Sequence, residues 1–233
     1  MDTILILHGW GSCAKNWANV KELLENKGLK VFVPDLPGFG ENPPPDRPWS
    51  IDDYVEWVRD FCEKNNLSNF FLAGHSFGGG IAAKYASRYT ENIEKLFLVA
   101  SAIVRRKTFK KEAFKRLAKI LNKFSALPYY DLFRRAFYKI VVKSDYLSAK
   151  NANMRETYLK VIGEDLSSCL SNISTPTIII WGEKDEDTLL KDAYLIKEKI
   201  SGAVLETISG IGHSPHLESP EILAEKIIKF IKS

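Results

Sequence analysis

The sequence predicts an α/β protein built on an open, all-parallel sheet with helices on its faces. Three observations carry that expectation. Six short runs rich in β-branched residues recur along the chain. Most are apolar almost without interruption, as strands covered on both faces must be. Between them lie longer stretches with apolar residues at helical spacing, and alternation of strand with helix is the pattern of a parallel sheet. The 233 residues, 45% hydrophobic and 27% charged, suffice for one sizeable core with a modest insertion.

The first expected strand is 3–7. Trp17, Val20, Leu23 and Leu24 then repeat at helical spacing as far as Gly28, a C-terminal stop. Strand 30–34 follows. Ile51, Tyr54, Val55, Val58, Phe61 and Cys62 mark the next helix, with Ser50 as its N-cap. Strand 69–73 leads through a glycine-rich turn into a helix over 79–86, and strands 95–100, 177–181 and 203–208 complete the set. Ser219-Pro220, cap then first-turn proline, opens a last helix carrying Ile222, Leu223, Ile227 and Ile228.

One segment breaks the rhythm. Over 103–165 there is no strand pattern, only two helical stripes: Phe114, Leu117, Ala118 and Leu121, then Phe133, Ala136, Phe137, Ile140 and Val141, separated at Pro128. We expect a helical lid there, inserted between two strands of a core formed by 1–102 and 166–233.

Composition excludes several classes. A net charge of +4 is too mild for a nucleic-acid binder, and no low-complexity tract argues for disorder. No apolar run approaches the roughly 18–20 residues that span a bilayer. Residues 1–7 are too short for a signal peptide, with neither a basic start nor a cleavage site. Cys13, Cys62 and Cys169 are odd in number and widely spaced, which fits reduced thiols and a cytoplasmic setting and supports no metal cluster.

The chemistry centres on Gly74-His75-Ser76-Phe77-Gly78, a G-x-S-x-G match. Alone the match is weak. Its place between an expected strand and an expected helix strengthens it, because so tight a turn strains Ser76 and lifts its hydroxyl above the sheet. A serine needs a base. His8 and His75 suit structural roles, so His213 is favoured and His216 is its rival. The base needs an acid to orient it, and Asp185 stands just past strand 177–181, with Glu183 and Asp187 as rivals. The loop Leu7-His8-Gly9-Trp10-Gly11-Ser12 and the residue after the nucleophile can offer the Trp10 and Phe77 N–H groups to an oxyanion. Neither G-x-G-x-x-G nor G-x-x-x-x-G-K-[ST] is present, so that loop is no phosphate cradle.

With His8-Gly9-Trp10-Gly11, Asp35-Leu36-Pro37-Gly38-Phe39-Gly40, the elbow at 74–78, Gly182-x-x-Asp185 and Gly212-His213 in this order, the chain resembles the α/β-hydrolase superfamily. The resemblance implies Ser76 as nucleophile, His213 as base, Asp185 as its partner, and no metal or organic cofactor. Members usually carry two further strands before the His-Gly loop. Seven residues cannot hold them, so a reduced, six-stranded, all-parallel sheet is expected. Related haloalkane dehalogenases and epoxide hydrolases place Asp at the elbow, whereas Ser76 points to acyl chemistry.

The expected activity is therefore hydrolysis of carboxylic esters of small to medium apolar acyl groups through an acyl-enzyme. Thioester, lactone or C–C bond hydrolysis and a non-catalytic ligand-binding role are the alternatives. Trp10, Phe77 and Phe137 are expected to line the substrate pocket. His75 is grouped with them, although its place beside Ser76 also suits packing. The expected lid holds 16 basic and 6 acidic residues, net +10, against −6 for the rest. A basic lid beside a His-Gly-Trp-Gly loop is similar to pimeloyl-acyl-carrier-protein methyl ester esterases. That similarity implies an acidic substrate or acyl carrier as partner. A solvated helix face or contact with an anionic membrane surface would use the same charge.

Overall fold

A computed structural model describes residues 2–105 and 151–233. Six parallel strands form one sheet: β1 (Thr3–Leu7), β2 (Lys30–Phe32), β3 (Phe70–His75), β4 (Ile93–Val99), β5 (Thr177–Gly182) and β6 (Val204–Ile208). Their order across the sheet is β2-β1-β3-β4-β5-β6. The reduced all-parallel sheet is thus as expected, and β2 and β6 are its edges.

Side chains alternate across the pleat, so each strand feeds two cores. Ile4, Ile6, Phe71, Ala73, Phe97, Val99, Ile178 and Ile180 pack on α1 (Ala18–Glu25) and the C-terminal helix α7 (Pro220–Ile231). Leu5, Leu7, Leu72, Leu96, Leu98, Ile179 and Trp181 face α2 (Ile51–Lys64), α3 (Phe77–Ala86) and α5 (Leu190–Lys199). Burial on both faces explains the unbroken apolar runs.

Element ends follow local chemistry. Ser50 caps α2 in a capping box: its Oγ accepts from the Asp53 N–H while Asp53 Oδ2 accepts from the Ser50 N–H. Strand β3 starts at Phe70 because Asn69 is left-handed, at φ 52°, and β4 stops at Val99 because Ala100 sits at φ 44°. The expected strand 30–34 closes at Phe32, just before Pro34.

Helix α4 (Ala152–Gly163) falls within the segment expected as a lid; the stripes at 114–121 and 133–141, and Phe137, lie outside the described residues. It is docked on the loop before α2. Asn153 Nδ2–H donates to Asp46 O (2.7 Å), the Trp49 N–H to Thr157 Oγ1 (2.9 Å), and Lys160 Nζ–H to Pro48 O (2.9 Å). At its end Glu164 meets Lys84 of α3, which also pairs with Asp52 of α2.

Candidate active site

In a parallel sheet all carboxyl ends lie on one edge, and ligands bind outside that edge. The loops after β1, β3, β5 and β6 therefore converge there, carrying Trp10, Ser76, Asp185 and His213.

Ser76 joins β3 directly to α3 and adopts φ 51°, ψ −114°, a conformation costly for any residue with a Cβ. Three backbone bonds hold it. Its N–H donates to Val99 O (3.0 Å), and its carbonyl accepts from the Gly80 and Ala102 N–H groups. The flanking glycines are required by packing. A Cβ on Gly74 would lie 2.4 Å from Gly78 O, and one on Gly78 would lie 2.2 Å from Leu7 O. Although Ser76 occupies the N-cap of α3, its hydroxyl makes no capping bond. It meets His213 Nε2 instead, at 3.0 Å.

His213 Nδ1–H donates to Asp185 Oδ2 at 2.8 Å, which leaves Nε2 as an acceptor facing the serine O–H. The Asp185 side chain is fully buried, yet every lone-pair direction it offers is used. Its Oδ1 accepts from the Asp187 and Thr188 N–H groups (2.8 and 2.9 Å), and the Thr188 hydroxyl donates to Oδ2 (2.7 Å). The loops bearing acid and base also press together. A Cβ on Gly182 would strike Gly212 O at 2.1 Å, and the Lys184 N–H donates to Ile211 O. Of the rival acids, Asp187 braces Asp185 through its amide, and Glu183 is exposed.

Thr188 was not singled out from the sequence. Its hydroxyl also lies 3.1 Å from Ala100 O and 3.3 Å from His213 Nδ1, so it touches acid, base and the end of β4. The sequence signal covered only the turn: an Asp commonly accepts from the backbone N–H two residues on, as Asp185 does from Asp187, and this does not mark the Thr188 hydroxyl.

The other three histidines are buried around the site. The Leu36 N–H donates to His8 Nε2 (2.9 Å) while His8 Nδ1–H donates to Gly9 O, tying the loop after β1 to the loop after β2. His216 stacks on Trp17, ring centroids 4.4 Å apart, and packs against His75. His75 Nε2–H donates to the carbonyl of His213 itself (2.8 Å). Burial lowers the pKa of all three. The neighbouring imidazoles His216 and His213 depress His75 further, well below the ordinary range, and His216 is pushed down to about 4. The grouping of His75 with the substrate-lining residues is at odds with this position. It is 4% exposed and bonded to main chain, which suits positioning.

Phe77 opens α3, so its N–H has no intrahelical acceptor. Gly9 passes over the elbow, where a Cβ would come within 3.4 Å of Ser76 Cβ, and this brings the loop bearing Trp10 alongside the serine. The Trp10 ring packs edge-on to Phe39 and Phe77 (centroids 4.8 and 5.3 Å) and tilts against Tyr158 of α4 (5.1 Å). The result is an aromatic wall beside the elbow. Chemically, three bonded side chains can move a proton off a serine hydroxyl, and amides at a helix start can hold an oxyanion.

Sheet order, elbow, and the chain order serine, acid, histidine together define one class of protein, the α/β-hydrolases. A profile of the alpha/beta hydrolase fold family matches residues 2–220, and the chain belongs to that family. Among its relatives, Lipase 1 of Psychrobacter immobilis is 26% identical over 248 residues, 98% of this chain and 76% of that one. Monoacylglycerol lipase ABHD6 of Bos taurus is 26% identical over 257 residues, 99% and 75% of the two chains. The esterase EaEST of Exiguobacterium antarcticum superposes with a TM-score of 0.78 at 22% identity, over 100% of this chain and 92% of that one. Among the described residues, no helix is long and apolar enough to cross a membrane.

Proposed function

We propose that the protein is a serine hydrolase that cleaves carboxylic esters of small to medium apolar acyl groups. The observation that carries this reading is the bonded chain Ser76–His213–Asp185 at a strained elbow. His213 removes the serine proton as Oγ attacks the ester carbonyl, and Asp185 stabilises the imidazolium that forms. The Trp10 and Phe77 amides hold the oxyanion. The imidazolium then protonates the leaving alcohol, and water, activated by the same base, releases the acid. No step requires a metal or an organic cofactor.

The aromatic wall of Trp10, Phe39, Phe77 and Tyr158 argues for an apolar acyl group. Lipase and esterase relatives support the ester class. Residues 103–165 serve as the lid, and their positive charge draws anionic esters or an acidic carrier.

The test is hydrolysis of p-nitrophenyl esters from acetate to long chains, with Ser76→Ala as control. We expect turnover to fall by at least about a thousandfold in the variant with folding unchanged, since the triad acts as a unit. Equal activity in the variant would exclude Ser76 as nucleophile. Turnover of none of these esters by the folded parent protein would remove the esterase reading.

A further inference from the structure

The geometry points to Glu218 as a positioning residue for His213. This inference rests on the proposed role of His213 as base, and its argument starts from the backbone. His213 lies in an irregular loop between β6 and a single-turn helix, α6 (Pro215–Glu218), just after the left-handed Gly210. No sheet or helix ladder holds that loop in place.

The Glu218 side chain supplies what the ladder does not. It folds back from the end of α6, and its two oxygens accept from the two amides that flank His213. The Gly212 N–H donates to Oε2 at 2.8 Å and the Ser214 N–H to Oε1 at 2.9 Å. Both bonds are charge-assisted. Between them the His213 carbonyl accepts from His75 Nε2–H. His75 directly precedes the nucleophile, so base and nucleophile are pinned to each other through main chain as well as through the ring.

Glu218 is exposed, and its carboxylate fills no core space. Removing it leaves no cavity, but it frees two amides and the loop that sets the 3.0 Å approach of Nε2 to Ser76 Oγ. Reactive geometry is sensitive to displacements of that order, and a base held by a loop is the member most easily lost from register.

Glu218→Ala and Glu218→Gln test this beside the parent and Ser76→Ala. In Glu218→Ala we expect kcat to fall about tenfold, with KM within about twofold and a parallel loss in the rate of fluorophosphonate labelling. Glu218→Gln keeps one acceptor oxygen and should recover part of that loss. The His213 Nδ1–H proton, read by NMR as a downfield resonance absent from His213→Gln, should broaden in Glu218→Ala and stay sharp in Ser76→Ala. Unchanged kcat with a sharp resonance overturns the proposal. So does a loss confined to KM or to the folded fraction, or a Gln variant no better than Ala. The resonance needs no substrate. If the parent turns over no ester, the proposed function fails while the resonance still decides the role of Glu218.

Discussion

At the residue scale, the candidate site is braced by groups outside the chain Ser76–His213–Asp185. Thr188 supplies a hydroxyl bonded to Asp185. Thr188→Val keeps the shape and deletes the donor, so kcat should drop roughly threefold to tenfold with KM unchanged in steady-state assays. The buried histidines make a different prediction. Desolvation, with His213 and His8 adding to it, takes His216 from an ordinary value near 6.5 down to about 4, against a smaller opposing pull from Glu218. The unfolded chain therefore binds a proton that the folded chain refuses. Stability from this group is complete above about pH 6.5 and declines as pH falls toward 4, by about 3 kcal/mol in all. His75 acts in the same direction. In denaturant titrations across that range, His216→Phe, which keeps the stack on Trp17, should flatten the decline. An identical decline in both proteins would falsify the assignment. Residue identity made Ser76, Asp185 and His213 legible as candidates, because the chemistry dictates their types and the fold their order along the chain. The bonds of Thr188 and His75 were less legible, since they are set by where two distant loops meet.

Among elements, helix α4 links the site to the rest of the molecule. Its Tyr158 closes the aromatic wall, and Lys84 ties its end to α2 and α3. The Lys84 side chain is only 12% exposed, and Lys84→Met takes from Glu164 its bonded cation while the half-exposed Asp52 keeps Arg88. We expect a loss of about 1–2 kcal/mol, read from the urea midpoint. The four inner strands were legible because burial on both faces demands nearly continuous apolar runs, whereas the edges β2 and β6 are part-exposed. Helix α5 was not, because only Ala193 and Ile196 of its ten residues are buried, too few to show a stripe. Helix α6 escaped for another reason: a single turn carries no periodicity at all.

Over the whole molecule, charge is unevenly shared, with +10 on residues 103–165 and −6 on the remainder. A segment so charged would steer anions at low salt and lose reach as the screening length shrinks. Between about 20 and 500 mM salt, kcat/KM for an anionic ester should fall several-fold while a neutral ester of equal size is unaffected. Equal salt sensitivity would remove any role for the basic segment in substrate capture.

The order of the three residues along the chain also bears on synthesis. Ser76 precedes His213 by 137 residues, and this proposed base comes from the loop beyond the edge strand β6. At about 5–20 residues per second, the serine leaves the ribosome on the order of ten seconds before the imidazole proposed to activate it. A nascent chain therefore carries an ordinary alcohol, inert toward the esters around it. Under the proposed mechanism, catalysis switches on only when β6 has been made and has paired.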